Sequence, residues 1–111
     1  MPLITPVAGD GATYALVYTN STANDQAINV TINNHSKNTG GFFSLYVIPP
    51  GVSYSPGAVA PSQIYATDPV NSPLDRSGQI IKTNQIVPPG GIMVFYGSHS
   101  NISFYADYLQ M

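Results

Sequence analysis

The chain has 111 residues, of which five Asp and three Lys or Arg carry charge, 7% of the total, against about 25% in an ordinary soluble domain. A net charge of −2 with three basic residues excludes a nucleic-acid binder that works by phosphate neutralisation. It equally excludes a polybasic membrane anchor, because no cationic cluster exists. There is no cysteine, hence neither a disulfide framework nor a thiolate metal site, and stability must come from packing or from neighbouring chains.

This length fits one domain, 1–111, that buries about 65% of its unfolded surface. Residues 1–15 have no basic region and no apolar run of signal length. No segment approaches 18 consecutive apolar residues, so neither an export signal nor a membrane span is expected. The first strand is expected over 13–18, rich in aromatic and β-branched residues, between Gly11 and the Asn20-Ser21-Thr22 turn cluster. Residues 26–33 alternate strictly, with Ile28, Val30 and Ile32 on one face and Asn29, Thr31 and Asn33 on the other, the pattern of a half-buried strand.

Residues 42–48 (FFSLYVI) break that rule, since both faces are apolar: Phe43, Leu45 and Val47 suit the core, while Phe42, Tyr46 and Ile48 point the other way. The outer face of a sheet normally meets water, so such a strand implies a cover, either a loop or another subunit. Residues 49–78 hold six of the ten prolines and admit one short strand near 63–67. Loops of this length are uncommon in compact domains, and Tyr54, Ile64, Tyr65 and Leu74 argue against plain disorder, so the segment reads as an arm or lid that packs on something. Residues 79–83 and 85–87 form a strand interrupted at Asn84. Residues 92–97 (IMVFYG) are again apolar on both faces, Ile92, Val94 and Tyr96 opposing Met93 and Phe95. Residues 101–109 alternate, with Ile102, Phe104, Ala106 and Tyr108 on one face. The phrases Ile48-Pro49-Pro50-Gly51 and Val87-Pro88-Pro89-Gly90 read as equivalent strand-end corners. No window carries a helical period and there is no Glu at all. Seven or eight short strands with turn signals between them predict an all-β antiparallel sandwich or jelly-roll-like barrel.

Chemistry has little to work with. The titratable set is two His and five Asp, without a nucleophile-elbow signature, so no catalytic residue, metal site or cofactor is expected. His99, in Ser98-His99-Ser100, reads as an exposed turn histidine, and His35 as a solvated loop residue. Four Asn-x-Ser/Thr triplets begin at Asn20, Asn29, Asn34 and Asn101. With 28 Asn, Ser and Thr in the chain such triplets arise by composition, and glycosylation is not expected. Eight tyrosines and four phenylalanines are the main positive feature. Tyr14, Tyr18 and Tyr96 each suit packing within the sandwich as well as contacts outside it. Tyr46, Tyr54 and Tyr65 suit contacts outside the core, because Tyr joins a rigid apolar body to a polar tip. The candidate interface residues are therefore Phe42, Tyr46, Ile48, Tyr54, Tyr65, Arg76, Met93 and Phe95.

Pro6-Val7-Ala8-Gly9, Tyr18-Thr19-Asn20, the run 27–32 and Val87-Pro88-Pro89-Gly90 before an aromatic hairpin carry a resemblance. In the order of these elements the chain resembles small β-sandwich virion structural proteins of tailed bacteriophages, and within them head decoration, or cement, proteins. The resemblance implies a non-enzymatic protein on the outer capsid surface that assembles with itself, often as a homotrimer, and with the major capsid protein or another virion protein. No functional residue carries over, because the group is defined by architecture. The alternative from a different class is a tail, fibre or receptor-binding module that holds carbohydrate through its Tyr, Asn and Asp side chains. A small hydrolase lacks a visible nucleophile and base.

Overall fold

A computed structural model describes residues 3–51, 66–67 and 72–109. Nine strands follow one another: β1 (Leu3–Ala8), β2 (Ala15–Thr19), β3 (Gln26–Asn34), β4 (Gly41–Ile48), β5 (Ala66–Thr67), β6 (Ser72–Leu74), β7 (Gln79–Val87), β8 (Ile92–Gly97) and β9 (Ile102–Leu109). They form two packed antiparallel sheets: sheet A in the order β1-β9-β3-β7, and sheet B in the order β2-β8-β4-β5 with β6 also paired to β4. No helix occurs among the described residues.

The wiring is that of a jelly roll. The pairs β1/β9, β2/β8, β3/β7 and β4 with β5 and β6 are successive rungs of one long hairpin, folded so that alternate rungs lie in opposite sheets. Every strand-to-strand connection except β4 to β5 and β5 to β6 therefore crosses from one sheet to the other.

The core lies between the sheets. Ile28, Val30 and Ile32 of β3 and Ile102 and Phe104 of β9 meet Phe43, Leu45 and Val47 of β4 and Met93 and Phe95 of β8. The rings of Phe95 and Phe104 lie 5.6 Å apart across the gap. The faces expected from alternation in β3 and β4, and in β9 for Ile102, Phe104 and Ala106, are those observed.

The strand beginning at β2 is shorter than expected because the Asp10 carboxylate accepts the N–H groups of Ala12 and Thr13 at 2.8 and 2.7 Å, which commits Thr13 to a turn. The interruption at Asn84 is a bulge inside one strand: Ile28 pairs with Gln85 but Val30 with Lys82, so Thr83 and Asn84 oppose one residue. Part of the proline-rich arm is sheet, since β5 and β6 extend sheet B beside β4.

The two Pro-Pro-Gly corners lie side by side at one end. Gly51 and Gly90 take φ of 83° and 78°, the left-handed region glycine reaches without strain. A Cβ at Gly90 would sit 3.1 Å from Pro50.

Candidate interaction surface

The outer face of sheet B is where the two-faced strands β4 and β8 lie against each other, with Tyr46 paired to Val94 and Ile48 to Ile92. Tyr46, Ile48 and Val94 form a second apolar cluster there, with Tyr14 and Ile92 packed on it. Tyr46 is 1% exposed and Ile48 and Val94 not at all, so the cover that these strands require is provided within the chain. Burial pushes the Tyr46 phenol above its ordinary value, with a hydrogen bond to Ser44 pulling weakly the other way.

An aromatic row leads from this cluster to the surface. Tyr14 stacks on Tyr46 at 5.9 Å and on Tyr96 at 4.9 Å, and Tyr96 stacks on Phe42 at 5.9 Å. The Tyr96 hydroxyl donates to the Gly11 carbonyl at 3.1 Å, which fixes its ring. Phe42 ends the row exposed, and Leu16 of the edge strand β2 is 47% exposed. This face thus presents apolar groups at its margins around a closed centre.

The structure redistributes the candidate interface residues. Phe42 is on the surface as expected, and Arg76 is exposed in the turn between β6 and β7. Tyr46 and Ile48 are on the outer face but sealed. Met93 and Phe95 are corrected: both belong to the core between the sheets, because Val47 and Leu45, their partners on β4, face inward. Tyr54 and Tyr65 lie outside the described residues. Tyr18 packs against the main core, whereas Tyr14 and Tyr96 belong to the outer row.

The outer face of sheet A is different. It carries Asn29, Thr31 and Asn33 of β3, Tyr105 and Asp107 of β9, and Ile81 and Ile86 of β7. Asn29 Nδ2 donates to Asp107 Oδ1 at 3.2 Å, and His35 Nε2 and the Tyr105 hydroxyl are 3.0 Å apart. A depression of about 180 Å³ lies over Asn29, Thr31, Ile81, Tyr105 and Asp107. A larger one of about 450 Å³ adjoins Asn33, His35, Lys37, Ser77 and Gln79.

Among the described residues no group of three His, Cys, Asp or Glu could hold a metal ion. His99 is not the exposed residue expected from its turn: Nδ1 accepts the Asn101 N–H at 3.2 Å and Nε2 is buried without a partner, close against Gly41. Two of the four Asn-x-Ser/Thr asparagines, Asn20 and Asn34, are buried. Sequence reasoning missed their role, which is structural. Comparison with known proteins yields no match to a family model, to a curated protein or to a solved structure.

Proposed function

We propose that this chain is a non-enzymatic virion structural protein that decorates and stabilises a capsid shell, acting through contacts with its own copies and with the shell. The observation that carries this reading is where the charges sit. Asp10, Asp25, Lys37, Asp75 and Arg76 are all in loops that connect strands. On the strands, Asp107 is engaged by Asn29, and Lys82 shares the core-facing side of β7 with Ile80. Exposed large apolar residues show the opposite placement: Leu16, Phe42, Ile81 and Ile86 are on strands. Sheet faces whose only outward charge is a carboxylate engaged by a neighbour, and with apolar margins, suit a subunit held in an assembly, and low charge favours association.

The test is native mass measurement together with co-sedimentation on expanded, undecorated phage shells. A defined oligomer retained on shells is expected, with retention lost in a Leu16→Lys/Phe42→Lys double variant. A strict monomer without affinity for shells overturns the reading. A second reading, a receptor-binding module for carbohydrate, is favoured by Tyr105 beside the Asn29–Asp107 pair on sheet A.

A further inference from the structure

We infer that the outer face of sheet A holds a binding groove for a neutral saccharide, running along β3 between Ile81 and Tyr105. The inference rests on the second reading and gives it a site. Register places Thr31 directly between Ile81 of β7 and Tyr105 of β9. The two larger side chains therefore stand two strand spacings apart, roughly 9–10 Å, with a short side chain as the floor. That gap takes one flat ring.

Its walls match the two chemistries of a sugar. Tyr105 offers an aromatic face and Ile81, 61% exposed, an aliphatic one, both suited to the C–H face of a pyranose. At one end Asp107 accepts from Asn29 at 3.2 Å. A carboxylate has about four acceptor positions, so Asp107 retains acceptors for adjacent hydroxyls while its orientation is set by Asn29. At the other end the contact between His35 and the Tyr105 hydroxyl at 3.0 Å holds the ring in place, which lowers the ordering cost of binding.

The groove continues toward Asn33 and the larger depression that Asn33 and Gln79 line. Asn29 and Asn33 are about 13 Å apart at the usual strand rise, more than one ring length, so an oligosaccharide is better matched than a single sugar. The ring held between Ile81 and Tyr105 is neutral because Asp107, the one charged residue lining the smaller depression, disfavours an acidic sugar there, while Lys37 stands only at the larger depression beyond it.

The experiment is a heteronuclear NMR titration of the full chain with neutral oligosaccharides of glucose, galactose, mannose and N-acetylglucosamine. Saturable shifts at Asn29, Thr31, Ile81, Tyr105 and Asp107 are expected with at least one of them. Tyr105→Ala is expected to weaken binding about tenfold or more, the scale of a lost aromatic contact, and Tyr105→Phe to leave it within a few-fold. Should Tyr105→Ala fail to fold, Ile81→Lys at its exposed position serves instead and is expected to block the groove. Saturable binding that survives these substitutions in a folded protein overturns the groove but leaves a carbohydrate-binding module standing. Silence across the whole panel overturns both, and neither outcome bears on retention by capsid shells.

Discussion

At the scale of single residues, two asparagines organise the two ends of the sandwich. Asn20 is buried; its Nδ2 donates to the carbonyls of Asn24 and Val87, both at 2.8 Å, and its Oδ1 accepts from the backbone and hydroxyl of Thr22. The β2–β3 turn is thereby tied to the β7–β8 corner. Asn34 does the same at the other end, donating to Thr39 and Leu74 and accepting from Ser36. Removing such an amide strands a buried carbonyl, which costs about 1–3 kcal/mol. Asn20→Ala is therefore expected to lower stability by about 2–3 kcal/mol in urea denaturation, whereas Asn101→Ala in its exposed turn should change it by less than about 0.5 kcal/mol. The sequence shows these residues only as triplets resembling glycosylation acceptors. Their partners Val87 and Leu74 lie 67 and 40 positions away, beyond any local pattern.

Asp10 gives a pH prediction of definite sign. Backbone hydrogen bonds from Thr13 first, and then Ala12, hold its carboxyl below the ordinary value of 3.8. A depressed folded pKa means that the contribution is present above the unfolded value and is lost as pH falls through the lower folded one. The Asp10 carboxyl resonance should titrate below 3.8, and Asp10→Ala should destabilise the protein at neutral pH but not in acid where the native carboxyl is protonated. An unshifted titration would contradict this account of the turn.

Among elements, β4 and β8 show how far pattern reading reaches. The face of β4 is legible because Ser44 interrupts its outer side. In β8 both sides are equally apolar, and only the pairing of Leu45 with Phe95 and Val47 with Met93 decides which is inside. Phe95→Ala is accordingly expected to cost about 3–5 kcal/mol. Phe42→Ala, at the 36% exposed end of the aromatic row, should cost less, about 1–2 kcal/mol, since its loss opens a surface notch rather than a closed cavity. Chemical denaturation of the two variants compares them directly.

The strands that pattern reading misses, β1 and β6, contain Pro6 and Pro73 and do not alternate. Both are edge pieces, where a missing N–H is tolerated. The long edge strand β7 is protected differently. The bulge at Thr83 and Asn84 and the core-facing position of Lys82 both discourage another strand from pairing there. Lys82→Val should raise concentration-dependent light scattering without unfolding the sheet, which circular dichroism would confirm. Unchanged scattering would show that the bulge alone suffices.

For the whole molecule, alternation and turns are enough to indicate a two-sheet β protein but not its wiring, because strand order depends on pairings such as Leu3 with Asp107 that join the ends of the chain. What composition does convey is the nature of the forces between molecules. With eight formal charges in 111 residues, and those on the described strands placed at an edge or engaged locally, contacts made by the sheet faces draw on apolar burial rather than on ion pairs. Screening should then matter little. An association held by surface charge weakens as the Debye length falls from about 10 Å at 0.1 M salt to about 3 Å at 1 M, whereas apolar burial is strengthened by excluded salts such as sulfate. Self-association and shell binding are therefore expected to be flat in sodium chloride over that range and to rise in ammonium sulfate, as read by sedimentation velocity and co-sedimentation. Dissociation by sodium chloride would place the interface on the charged strand-connecting loops, around Lys37, Asp75 and Arg76, and would remove the sheet faces as its site.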